Sequence, residues 1–238
     1  MSSIFNQENV GYSKSITREF FKNVYAYMFA ALSVSGIVAY YTGTPDFFSK
    51  YFFNSAGTGL SPLFWVVSFA PVGLGLLIQM AYQRLSLLSL LILFFIFSAL
   101  MGLSLSSVML IYSINEIALT FFVAAGAFGG MAILGYTTKT DLTKFGSLMY
   151  MGFIGIFIAG ITNIWFQSDM MSLIIAVIGV FVFTGLTAYY MQSLKSVAQN
   201  QMMSEIDRAK LSLIGGLQLY ILFINLFLSL LRILGGRD

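Results

Sequence analysis

Arg84, Tyr190, Gln218 and Asn225 stand inside or at the ends of long apolar runs, where a polar side chain needs a partner. Arg84 closes the second run and Tyr190 the sixth, at the same expected depth. A guanidinium there either snorkels to the interface and sets topology or latches onto something on the sixth run. Gln218 and Asn225 lie seven residues apart, two helical turns, and so share one face. That face is expected to point inward, where carboxamides hydrogen-bond between helices, as Gln79 could too. An ionisable group inside a span costs about 2.5–3.5 kcal/mol or more and usually marks an ion path or proton relay. None is central here. Glu116, Asp141, Asp169 and Arg232 all fall at span ends or in turns.

Much other chemistry is closed. The 238 residues contain neither cysteine nor histidine, which removes disulfides, thiolate nucleophiles, the usual general base and the commonest metal ligand. No serine has an evident base beside it, so an enzyme is not expected. Metal ions and cofactors are not expected either; the stretch from Leu211 to Leu231 has no lysine for a retinal Schiff base. The net charge of +3 comes from basic residues at the ends of apolar runs rather than in a patch, so a nucleic-acid partner is not expected.

The elements that position these groups follow from composition. Charged residues make up 9% of the chain, against roughly 25% in a soluble domain, and the mean hydropathy is +0.88. Apolar runs at about 24–41, 62–81, 86–112, 117–136, 145–166, 172–191 and 211–234 are each long enough to cross the roughly 30 Å of a bilayer core. They are continuous and lack the alternation of barrel strands. The expected fold is therefore all-α, a single polytopic membrane domain of seven transmembrane helices whose solvent is the lipid bilayer. The first run resembles a signal peptide but lacks a clear small-residue cleavage site, so it is expected to remain as a span. The third is the longest, which predicts tilt or an extended end.

Of the twelve basic residues, nine (Lys14, Arg18, Lys22, Arg84, Lys139, Lys144, Lys195, Arg208 and Lys210) fall on one side and three (Lys50, Arg232 and Arg237) on the other. The positive-inside rule then places the N-terminus in the cytoplasm and the C-terminus outside. Residues 42–61, rich in phenylalanine and tyrosine, either rest on the membrane surface or pack on the bundle. Residues 192–210 read as a solvated hairpin connection. Gly126 and Gly130, with Ala125 and Gly129, predict close helix packing, as do Gly152, Gly155 and Gly160. Pro71 predicts a kink in the second span.

Several separated motifs resemble the Bax inhibitor (TMBIM) family: GYTTKTDLTKFG over 135–146, Tyr112-Ser113 ending a span that begins GLSLS at 102, Thr187-Ala-Tyr with Gln192, and LYILFINLF over 219–227 followed by LRILG at 231–235. The resemblance runs from about Val24 to Gly235. It implies a seven-helix fold with one central helix and a pH-sensitive calcium or cation leak. It further implies a closing pair of aspartates, one late in span six and one in span seven, partnered by an arginine on span two that matches Arg84. Coupled carboxylates suit a proton-sensitive latch. Here the aspartate positions hold Tyr190 and Leu222. A phenol with a reference pKa of about 10 cannot sense protons near neutrality, and leucine cannot titrate.

Two functions stay open. One is a leak for calcium or protons with a non-acidic gate formed by Tyr190 and Leu222; the other is an interaction protein that modulates another membrane complex, such as a protease. The short cytoplasmic tail and the absence of eukaryotic extensions point to a bacterial inner membrane.

Overall fold

The computed structural model describes residues 2–53, 59–200 and 203–235, with side chains from residue 15 onward. Nine helices occur among them: α1 (Ser2–Thr42), α2 (Pro45–Tyr51), α3 (Pro62–Ala81), α4 (Leu87–Leu105), α5 (Val108–Ile111), α6 (Ile114–Thr137), α7 (Thr143–Phe166), α8 (Asp169–Ala198) and α9 (Glu205–Leu234). The one β feature among the described residues is an isolated bridge between Phe53 and Leu60. Seven segments are long and apolar enough to span a membrane, α4 and α5 together forming one of them. The chain is thus an all-α, polytopic membrane protein.

Helix starts follow local capping chemistry. Thr44, Ser61, Ser86 and Ser168 each accept a backbone N–H three residues on, and proline opens α2 and α3. The helices outrun the hydropathy windows: α1 extends far ahead of Val24, α8 runs on to Ala198, and α9 starts at Glu205. Once nucleated, a helix propagates through polar residues that a hydropathy window excludes. The long third run is broken instead of extended. Between α4 and α5, Ser106 N–H bonds back to Leu103 O at 3.3 Å and Met109 N–H to Ser106 O at 3.2 Å. These are three-residue closures; the Ser106 hydroxyl competes for the Leu103 carbonyl, and those of Ser104 and Ser107 donate to the nearby carbonyls of Leu100 and Ser104.

The chain divides into two compact units. One contains residues 19–113 and 203–217. In it Gly102 brings α4 against α1, because a Cβ there would stand 2.7 Å from Ser35 O; the Ser35 hydroxyl donates across the same junction to Ser98 O at 2.8 Å. Such small-residue contacts with a hydroxyl bridge are how helices associate where lipid removes the hydrophobic drive. α3 packs on α4, Gly75 facing the Phe97 ring and Ser104 Oγ donating to Val67 O at 2.9 Å. The aromatic loop resolves in favour of packing: Phe48 and Phe52 are buried with Val67 and flanked by Phe47, Phe64 and Leu103. Residues 54–58 of that loop lie outside the described residues.

The other unit contains residues 1–18, 114–202 and 218–238. Its organiser is α8, which packs on both α6 and α7. Gly135 on α6 meets the Ala188 carbonyl, Gly146 on α7 lies under the Tyr189 ring, and Gly152 faces Val182. The glycines expected to make α6 pack do not. Among the described residues nothing lies within 4 Å of where a Cβ would stand on Gly126, Gly129 or Gly130, nor on Gly155 or Gly160. A small-xxx-small stripe marks a face that can be approached closely, and helix rotation has turned a different face inward.

Candidate functional site

The residues singled out from sequence fall into both units. Arg84 is exposed in the turn that follows α3, its backbone N–H bonded to Ala81 O at 2.9 Å. Tyr190, Gln218, Leu222 and Asn225 belong to the second unit.

Tyr190 sits late in α8 in an aromatic cluster, its ring centroid 6.0 Å from Tyr150 and 5.7 Å from Tyr189. Two positions further on, Gln192 clamps the α6–α7 connection. Its Oε1 accepts the Leu142 N–H at 2.8 Å and its Nε2 donates to Thr140 O at 2.8 Å. One turn later Lys195 Nζ donates to Tyr136 O at 2.7 Å and lies 4.9 Å from the Tyr136 ring centroid. Inside the clamped loop, Asp141 Oδ1 accepts both the hydroxyl (2.6 Å) and the backbone N–H (2.9 Å) of Thr143. The Thr143 hydroxyl foremost, and then its amide, hold the Asp141 carboxyl below the ordinary aspartate value. The GYTTKTDLTKFG segment is thus the end of α6, a latched turn and the start of α7. Of this clamp the sequence offered only proximity within motifs; nothing in it paired Gln192 with residues fifty positions earlier.

On α9, Leu222 is 5% exposed, Gln218 and Asn225 are half-buried, and Phe223 packs against Phe121 and Phe128 at 5.3 and 5.6 Å. Asn225 Nδ2 donates to Ile221 O one turn back at 2.8 Å, and Ser229 Oγ to Asn225 O. α9 is the most buried of the candidate spans, with half of its most apolar window buried against 11–39% for the others.

Asn225 and Ser229 face a cavity of about 530 Å³ between α7, α8 and α9. Asn163 and Ser172 supply its other uncharged polar groups, and Phe153, Phe157 and Phe183 its inner wall. At its far end Arg232 reaches Asp169 Oδ1 at 3.0 Å. Asp169 and Arg232 both lie at span ends, as the sequence predicts, and the fold brings them together as an ion pair. Asn163 carries no signal in the sequence that would single it out. Its Nδ2 donates to Ser172 Oγ (2.7 Å) and Ser168 O (3.2 Å), while its Oδ1 accepts Ser168 N–H (3.0 Å). It thereby staples the turn in which Gln167 takes the left-handed conformation (φ 49°). Among the described residues no three of Asp, Glu, His or Cys gather as a metal-binding group.

A family model described as "Inhibitor of apoptosis-promoting Bax1" matches residues 17–238. A protein of Caulobacter vibrioides is 39% identical over 247 residues, 98% of this chain and 99% of its own length. The inner membrane protein YbhL of Escherichia coli K12 is 38% identical over 216 residues, 90% of each chain. A Rickettsia prowazekii protein is 38% identical over 221 residues, 92% of this chain and 90% of its own.

Proposed function

This chain belongs to the Bax inhibitor family, and from that membership we propose that it is a non-enzymatic cation leak, for calcium or protons, in a bacterial inner membrane, with a gate that holds no carboxylate. The similarity to YbhL, an inner membrane protein, supports the location. The observation that carries the leak is the cavity among α7, α8 and α9, a mainly apolar space into which Asn163, Ser172, Asn225, Ser229 and Arg232 bring polar groups. Arg232, Asn225 and Leu222 descend α9 in that order; at 1.5 Å per residue Asn225 lies about 10 Å and Leu222 about 15 Å below Arg232. Leu222 is therefore about half-way through a hydrocarbon core of roughly 30 Å. A buried leucine there, below carboxamides and hydroxyls that can hold water, has the character of an apolar constriction that gates by dewetting.

Ion flux into proteoliposomes between pH 5 and 8 tests this reading. The wild type conducts with little pH dependence, while Tyr190→Asp and Leu222→Asp, alone and above all together, introduce it. Absence of flux in every folded version ends the leak reading.

A second reading has its own support. The open glycine face of α6, at Gly126, Gly129 and Gly130, suits a membrane-protein partner whose activity this chain modulates, such as a protease complex. Under that reading Gly126→Leu abolishes co-purification of the partner from native membranes without altering flux.

A further inference from the structure

The cavity between α7, α8 and α9 has two chemically distinct parts. Its length can be read from its lining: residues 153–164 on α7 and 172–183 on α8, each about 16 Å of helix at 1.5 Å per residue. That is the depth of one leaflet, half of a core of roughly 30 Å. Most of this length is walled by Phe153, Ile156, Phe157, Ile161, Ile175 and Leu228, with Asn225 its one deep polar side chain, and that carboxamide donates to Ile221 O on its own helix. At one end stands Arg232, one-quarter exposed, and its ion-pair partner Asp169 is 77% exposed. With its carboxylate so exposed the ion pair is weak, so a competing anion can take the guanidinium. Gly160 lines the cavity and has nothing within 4 Å of where its Cβ would stand. The volume of about 530 Å³ lies within the range of small-molecule sites, about 300–1,000 Å³.

We propose that this groove binds one anionic phospholipid from the leaflet on the Arg232 side, an acyl chain lying along α7 and the phosphate displacing Asp169 from Arg232. Arg232 sits at the depth of a headgroup, the apolar wall has the length of one leaflet's chain, and guanidinium with phosphate is a charge-assisted, bidentate match. Asn163 and Ser172, near that end, provide hydrogen-bonding groups at glycerol depth. A chain in the groove fills the space in which conducted water would stand, so the lipid would also close the leak. That consequence alone rests on the leak reading; occupancy of the groove does not.

Native mass spectrometry after release from nanodiscs of mixed phosphatidylcholine and phosphatidylglycerol tests the site. Wild type retains one phosphatidylglycerol in preference to phosphatidylcholine, by at least fivefold. Gly160→Trp, which fills the groove from an open position, loses the retained lipid, and Ile161→Trp does the same should the first fail to fold. Arg232→Gln keeps a lipid but loses the headgroup preference, and Arg232→Lys restores most of it. A wild type without retained lipid, or retention indifferent to both tryptophan variants, overturns the proposal. Flux in vesicles with and without phosphatidylglycerol is read separately: retained lipid with no flux under either condition defeats the leak and leaves the lipid site standing.

Discussion

Gln192 accepts the Leu142 amide at 2.8 Å across a separation of fifty residues, and with its other end donates to Thr140 O. One carboxamide thereby satisfies both backbone polarities of the α6–α7 turn and ties it to the end of α8. Neither loop group has a helical partner, so removing the side chain leaves them to water or to nothing.

Gln192→Ala is expected to cost about 1–2 kcal/mol, the net worth of two such bonds. Chemical denaturation in detergent measures the loss, and hydrogen exchange localises it: the Leu142 amide exchanges faster while amides in the middle of α7 do not. Unchanged exchange at Leu142 would show that the clamp bears no load.

Asp141 makes the acid side of stability pH-dependent. Its carboxyl titrates below the ordinary value of 3.8 because Thr143 bonds to the charged form. The unfolded chain therefore binds more protons in the window between the two pKa values, and stability rises with pH there. The contribution is complete above the unfolded value and fades as pH falls through the folded one. Thermal melts from pH 3 to 7 should show Asp141→Ala less stable than wild type near neutrality, with the two curves converging at the acid end. Parallel curves would refute the assignment.

Glycines on the two faces of α6 should respond in opposite senses. At Gly135 a Cβ would run into the Ala188 carbonyl, which is backbone and cannot swing away, so Gly135→Ala is destabilising by about 1–3 kcal/mol. At Gly126 and Gly130 the space is open, and alanine raises helix propensity by up to about 1 kcal/mol. Melting temperatures of the three single variants decide it; equal losses at all three would mean that α6 is rotated from the orientation described.

Leu222 should couple stability to conduction. Truncation to alanine at a site 5% exposed costs about 2–5 kcal/mol. If Leu222 is the constriction, the folded fraction of Leu222→Ala also leaks faster than wild type in proteoliposomes. A destabilised variant with unaltered flux would assign the side chain to packing alone.

Two ion-bearing ends show how far residue types lead. Asp169 and Arg232 were both legible as span termini on one side, but not as a pair, because that needs α8 and α9 to be neighbours with those faces matched. The broken end of the third span was readable in principle: GLSLSS carries the hydroxyls that unwind it. For the α6 glycines the sequence pointed to the wrong face.

What the amino-acid order determined alone is whatever depends on local composition: seven crossings, the capping serines and threonine, the absence of cysteine and histidine, and motifs specific enough to name a family. The tertiary structure decided which face of each helix meets another. In a soluble protein apolar residues mark the inward face, but lipid is as apolar as leucine, so inward and outward faces read alike along a membrane helix. Gly126 and Gly135 differ by rotation about one axis, and only the packing of α6 on α8 tells them apart. The cavity that Asn225 lines, the clamp of Gln192 and the pairing of Arg232 with Asp169 all follow from such rotations.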